Sequence, residues 1–284
     1  MNKLSRTDNI LIVGLGLMGG SYAKRLSFKG FEVNAIDINQ ENLDFANRQH
    51  WLKNSSNKVN SMVSEADFII FALYPSVFVD WIKEYAHLIK KGAIITDVTG
   101  VKRNIVNQIE DSLADNIHFV ASHPMAGKES RGILYSDPTV FNEANFIITP
   151  TENSNLDAIE KVKDLARVLE FKNISILDLD THDQMIAFLS QLTHVIAVSL
   201  MNSEQGENFE KYTGDSFRDL TRIAKINEKM WSELFLVNKD YLLDEMDKFQ
   251  ASFQDFRNAL ENEDIASMEE LMISARLKRK KFDK

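Results

Sequence analysis

The stretch Ile10-Leu11-Ile12-Val13-Gly14-Leu15-Gly16-Leu17-Met18-Gly19 decides how this chain folds. Its first four residues, three of them β-branched, read as a strand buried on both faces. They run directly into G-x-G-x-x-G, and Met18–Lys29 reads as a helix closed by Gly30. In such a strand–loop–helix unit the first glycine permits the tight turn and the second lets backbone approach a pyrophosphate. The third lets helix pack on strand. The phosphate then meets unpaired amides at the helix N-terminus. Asp37 ends the next strand, 18 residues beyond Gly19, where it would accept ribose hydroxyls and repel a 2′-phosphate. Ile38 and Asn39 follow it, with no arginine to receive that phosphate. Gly14, Leu15, Gly16, Leu17, Met18, Gly19 and Asp37 are therefore read as a dinucleotide site that prefers NAD to NADP.

Outward from this unit, Glu32–Asp37, Phe68–Leu73, Ala93–Val98, His118–Ser122, Phe146–Thr149 and Ile174–Leu177 also read as strands. Helical stretches at Ser76–Lys90, Val101–Ser112 and Asn155–Glu170 separate them, a pattern that gives a parallel, doubly wound α/β sheet. After Asp180 there is no proline and the apolar spacing becomes helical, with Met185, Leu189, Leu192, Ile196 and Leu200 forming one stripe. Thr181 and Gln184 look like the capping box of that helix. The expected organisation is a Rossmann-type domain over residues 1–180 and an all-α domain over 181–284. Further stripes, including Phe249, Phe253, Phe256 and Leu260, offer more apolar surface than a small bundle buries, so a homodimer through this part is expected.

The net charge of −9 argues against nucleic acid and anionic membrane as partners. The absence of cysteine excludes disulfides and thiolate chemistry. No metal site is expected, because His182 and His194 stand twelve apart. Lys3 and Arg6 ahead of an apolar run imitate a secretory signal, but Asp8, Asn9 and the glycine spacing favour a first strand. With no uninterrupted apolar run of transmembrane length, the expected location is cytoplasmic.

For chemistry, His123 stands out among six histidines because Ser122-His123-Pro124-Met125-Ala126-Gly127-Lys128-Glu129 follows a strand, where open α/β sheets place their ligands. Asp97-Val98-Thr99-Gly100-Val101-Lys102 brings Thr99 and Lys102 to the same edge, though a strand end and helix cap explain it as well. Ser190 and His194 share a helix face. Arg218 and Arg222, also four apart, either pair with nearby carboxylates or offer a fork to a substrate carboxylate.

Taken in order, GLGLMGGS, DVTGVK, HPMAGKE, HDQMIAFLSQLTH and SFRDLTRIA resemble the prephenate/arogenate dehydrogenases of tyrosine biosynthesis, over nearly the whole chain. The resemblance implies a Rossmann-type domain, a helical dimerisation domain, and NAD-dependent oxidative decarboxylation of prephenate to 4-hydroxyphenylpyruvate. It further implies that His123 takes the proton of the C4 hydroxyl and that Arg222 holds a substrate carboxylate. His194, Lys128 and Trp231 match substrate-pocket positions, with Arg218 a weaker candidate. Two positions depart from the family pattern. Gly100 replaces a serine, leaving Thr99 as the neighbouring hydroxyl, and Gln191 replaces a histidine. Alternatives are arogenate dehydrogenase, a β-hydroxyacid dehydrogenase, and a non-catalytic NAD-binding sensor. At 284 residues the two domains use the chain, so no fused chorismate mutase or ACT domain is expected. Lys102, Lys128, Arg218 and Arg222 are expected to supply the local positive field that a dianionic substrate needs.

Overall fold

A computed structural model describes residues 3–283 except 129, 204, 205 and 207, so Glu129 of the His123 segment lies outside the described residues. Six parallel strands form the main sheet: β1 (Ile10–Val13), β2 (Val33–Ile36), β3 (Asn54–Ser56), β4 (Phe68–Phe71), β5 (Ile94–Asp97) and β6 (His118–Phe119). Their order, β3-β2-β1-β4-β5-β6, is that of a dinucleotide-binding sheet. Between and after them run α1 (Leu17–Phe28), α2 (Gln40–Arg48), α3 (Met62–Glu65), α4 (Pro75–Tyr85), α5 (Arg103–Glu110) and α6 (Leu156–Val168). Strand alternation divides the core: Ile10, Ile12, Phe68 and Ile70 pack with α1 and α6, while Leu11, Val13, Ile69 and Phe71 pack with α4 and α5. Both faces are covered, which is why these strands are apolar throughout. Strand β3 escapes the sequence reading because Asn-Ser-Ser at a sheet edge has no apolar signature.

The expectation of one continuous strand over His118–Ser122 is corrected. The chain leaves the parallel sheet at Val120 and starts a second sheet of β7 (Ala121–Pro124), β8 (Asn145–Thr149) and β9 (Asn173–Ile176). β7 pairs antiparallel with β8, and β8 parallel with β9. Side chains replace the backbone ladder at the switch: Asp97 Oδ1 accepts the Ser122 N–H at 3.1 Å, and the Thr96 and Ser122 hydroxyls lie 2.9 Å apart. His123 therefore sits inside β7, opposite Ile147, rather than beyond a strand end.

From Leu179 onward the described residues form only helices and turns. α7 (Leu179–Ile186) passes through a π-helical turn, Ala187–Leu192, into α8 (Thr193–Ser203). α9 (Asp215–Thr221), a 3-10 turn at Arg222–Ala224 and α10 (Glu228–Val237) follow. The cap of α7 is Asp178, not Thr181: its carboxylate accepts the Thr181 N–H at 2.8 Å and the Thr181 hydroxyl at 2.6 Å. An anionic oxygen at a helix N-terminus outcompetes a neutral one. The buried face of this helix is also displaced from the expected stripe. Leu189 is 42% exposed, whereas His182, Asp183, Ile186, Ala187 and Gln191 are buried. Leu179–Ser203 has mean hydropathy 1.5 over its most apolar window, long and apolar enough to cross a membrane by composition. Its buried polar side chains are nevertheless satisfied by protein groups, among them His123 of β7 and the Leu234 carbonyl of α10.

The chain forms two compact units, Met1–Asn238 and Lys239–Lys284. The second is a helical pair of α11 (Lys239–Glu261) and α12 (Ile265–Arg279), with Asp264 capping α12 through the Ser267 N–H at 3.0 Å.

Candidate active site

The glycine loop has the geometry that its spacing predicts. Gly14 has φ +94°, and a Cβ there would lie 2.5 Å from Ala72 O. At Gly19 a Cβ would lie 1.9 Å from Gly14 O, so helix and loop touch. At Gly16 a Cβ would meet nothing within 4 Å, leaving the backbone approachable. No side chain caps the N-terminus of α1, whose first amides stay available for an anion. Asp37 Oδ1 accepts the Asn39 N–H at 2.7 Å, and Oδ2 accepts the Leu15 N–H, tying the β2 end to the loop. A bare turn, an approachable backbone, uncapped amides and a carboxylate at the β2 end fit a dinucleotide with free ribose hydroxyls.

His123 stands across the carboxyl edge of the same sheet, in a polar cage. Lys102 is fully buried and its ammonium donates to Asp97 Oδ2 at 2.7 Å, to Thr99 Oγ1 at 3.1 Å and to the carbonyl of Ser122. Asp97 takes the N–H of Ser122, so the Asp97–Lys102 ion pair grips both polar groups of the residue before His123. The His123 ring is held from its other side. Its Nδ1 lies 2.9 Å from His182 Nε2, and His182 Nδ1 lies 2.7 Å from Asp183 Oδ1. Asp183 also accepts the N–H groups of Lys102 and Arg103, each at 2.8 Å, at the start of α5. Burial first, with further lowering from neighbouring His182 and the Lys102 ammonium, holds the His123 pKa well below the ordinary 6.5. Burial likewise lowers His182, against the opposing pull of Asp183.

A Cβ at Gly100 would sit 3.7 Å from His123 Nε2 and 3.7 Å from the Leu234 methyls. The histidine's outer nitrogen therefore faces Gly100, and Leu234 of α10 lies against the same glycine. One turn earlier on α10, Trp231 lies against His194, ring centroids 3.7 Å apart. His194 Nδ1 donates to Ser190 O at 2.8 Å, which leaves Nε2 as the acceptor of the neutral ring. Burial lowers its pKa, with the Ser190 bond opposing. The structure thus gathers His123, Gly100, Leu234, Trp231 and His194 in one region. Arg222 is exposed at the head of the 3-10 turn that lies against α8.

Several expectations are corrected here. The Thr99 hydroxyl does not open to the crevice: Thr99 is buried, bonds Asp97 and accepts from Lys102, because it closes the cage. Gln191, at the position where the family has a histidine, donates to Leu234 O at 2.9 Å and accepts from Asn238 at 2.8 Å. The expected positive field is largely neutralised. Lys102 is buried against Asp97, Lys128 pairs with Asp137 at 2.6 Å, and Arg218 pairs with Asp215 and donates to Thr213 O at 2.8 Å. Cations on a chain rich in carboxylates find local partners first. Sequence reasoning missed His182 and Asp183 as parts of the site. Two adjacent polar residues at the start of an apolar stripe were the available signal.

Two family models match: the nucleotide-binding domain of prephenate dehydrogenase over residues 22–174 and its dimerization domain over residues 178–274. The glycine loop precedes the first match, so its reading stands on its own geometry. Prephenate dehydrogenase of Bacillus subtilis (strain 168) is 30% identical over 278 residues, covering 94% of this chain and 74% of the relative. Cyclohexadienyl dehydrogenase of Zymomonas mobilis is 29% identical, covering 90% of this chain and 89% of the relative. Among solved structures, prephenate dehydrogenase from A. aeolicus in complex with hydroxyphenyl propionate and NAD+ superposes with a TM-score of 0.90 at 28% identity. That match covers 99% of this chain and 100% of the other.

Proposed function

This chain belongs to the prephenate dehydrogenase family, and from that membership we propose that it converts prephenate to 4-hydroxyphenylpyruvate and CO2 with NAD. The observation that carries the reading is His123: a half-buried imidazole whose pKa is lowered, held beside the carboxyl end of β5 in the sheet that bears the glycine loop. A base that stays uncharged near neutral pH is what removal of an alcohol proton requires.

Gly14, Leu15, Gly16, Leu17, Met18, Gly19 and Asp37 would hold NAD, which when bound supplies the hydride acceptor. The hydride leaves the ring carbon that bears the hydroxyl, and the hydroxyl proton passes to His123. The dienone so formed draws in the electron pair of the bond to the ring carboxylate, CO2 departs, and the ring becomes aromatic. His123 then returns its proton to the phenolate oxygen, so no net proton is consumed. Arg222 is assigned to a substrate carboxylate, and His194 with Trp231 to the pocket wall. Lys128 and Arg218 are secondary candidates, since each already holds a carboxylate. Thr99 acts through the cage and not on substrate.

Residues 1–180 would form the nucleotide-binding domain and 181–284 the substrate and dimerisation domain, a division supported by the spans of the two family models. The exposed Phe249, Phe253, Phe256 and Leu260 of α11 support a second copy as the partner. The reading places the enzyme in the cytoplasm, with neither nucleic acid nor membrane as partner. NADH absorbance is followed with prephenate and with arogenate. Formation with prephenate is the expected result, turnover of arogenate alone would reassign the substrate, and NADH from neither would falsify the assignment.

Two further outcomes follow from the site. Because the His123 pKa lies well below 6.5, kcat/KM is expected to hold its plateau as pH is lowered through that value. A decline centred near 6.5 in a pH–rate profile would contradict a base of lowered pKa. Arg222→Gln removes the planar fork while keeping length, and is expected to raise KM for prephenate by roughly tenfold or more with a smaller change in kcat. An unchanged KM would remove Arg222 from the carboxylate site.

A further inference from the structure

We propose that His182, backed by Asp183, is a positioning residue that locks His123 in the tautomer protonated on Nδ1, so that Nε2 is the atom that takes the substrate proton. The inference rests on the reading of His123 as the base and names the groups that make it one.

The assignment follows from donors and acceptors alone. Asp183 Oδ1 already accepts the Lys102 N–H at 2.8 Å, and a carboxylate oxygen donates nothing, so His182 Nδ1 carries a proton. His182 is fully buried and its pKa is lowered, so the neutral ring has no second proton and its Nε2 is a lone pair. Among the described residues its partner is His123 Nδ1 at 2.9 Å, which must donate. His123 Nε2 is then the lone pair, and it lies on the Gly100 side, where no side chain in the described residues hydrogen-bonds it. Were Nε2 protonated instead, two lone pairs would face each other across 2.9 Å inside a buried cage.

The lock also works during the reaction. When His123 gains a proton, its Nδ1–H still donates to His182, whose opposite nitrogen leans on the Asp183 carboxylate. The new cation is stabilised through one neutral ring, and no second proton has to move. Asp183 is itself fixed by two backbone N–H groups of α5, and its carbonyl accepts from Asn238 Nδ2 at 2.9 Å. The donor chain is thus anchored to elements separate from β7, which carries His123.

The direct test is nitrogen NMR of the full-length protein with NAD bound, labelled with 15N-histidine. His123 is expected to show a protonated, pyrrole-type Nδ1 and a pyridine-type Nε2 at neutral pH. The reverse pattern in the wild-type protein would overturn the proposal without any substitution. Kinetically, His182→Leu is expected to cut kcat by roughly 10–100-fold with KM for prephenate little changed. His182→Gln offers a carbonyl oxygen near the position of Nε2 and is expected to recover most of that loss. A leucine variant with wild-type kcat, or a glutamine variant as slow as leucine, would contradict the acceptor role. Should the leucine variant fail to fold, the glutamine variant and the wild-type spectrum still decide. Failure of the protein to oxidise prephenate or arogenate would refute the functional reading, while the tautomer measurement would stand apart from it.

Discussion

His123→Asn is expected to lower kcat by roughly 10²–10⁴-fold, the range attached to loss of a positioned general base, while leaving the affinity for NAD unchanged. Asparagine keeps an amide N–H near the position of Nδ1, so the contact to His182 Nε2, 2.9 Å long in the native cage, can persist and the fold is spared. What disappears is the basic nitrogen beside Gly100. The glycine loop follows β1 of the parallel sheet, whereas His123 lies in β7 of the second sheet, so binding of the dinucleotide is expected to be unchanged. Steady-state turnover together with a fluorescence titration of NAD separates the two effects. Full turnover in the variant would show that another group takes the proton. A parallel loss of NAD affinity would show that the substitution had disturbed the fold.

Lys102→Met is expected to destabilise the protein by roughly 3–5 kcal/mol, the usual consequence of leaving one member of a buried ion pair uncompensated. Lys102 is fully buried and Asp97 nearly so, and the ammonium has three partners within the cage. Burial lowers the Lys102 pKa while Asp97 opposes that shift. Methionine fills the volume but leaves the Asp97 carboxylate without its counter-charge. Adding Asp97→Asn is expected to recover part of the loss, because the double variant buries no net charge. Urea denaturation of the three proteins measures this. A loss below about 1 kcal/mol for the single variant would place the pair among weak surface bridges. Activity is expected to fall as well, since Lys102 holds the carbonyl of the residue before His123.

The glycine loop was legible because its information is local. A strand, a turn with φ +94° at Gly14 and a helix follow one another within a few residues, and Gly14 and Gly19 leave no room for a side chain. The helical character after Leu179 was legible for the same reason, from apolar spacing and the absence of proline. Where competing local solutions existed, the reading slipped. His118–Ser122 has the composition of one strand, yet hydrogen bonds from Thr96 and Asp97 divide it between two sheets. Thr181 has the spacing of a capping box, yet Asp178 three residues earlier holds the cap.

By itself the sequence determined the nucleotide-binding sheet, the helical region after it, the family, and His123 as the residue of interest. Each of these depends on residue types at short, fixed separations. Only the tertiary structure decided that His182, 59 residues away, touches His123, and that Asp183 of α7, held by the N–H groups at the start of α5, braces His182. It also decided that Lys102, Lys128 and Arg218 spend their charge on Asp97, Asp137 and Asp215. The reason is that a side chain's charge state and tautomer follow from the groups within hydrogen-bonding distance of it. In a buried site, those neighbours come from separate elements that meet only when the chain folds.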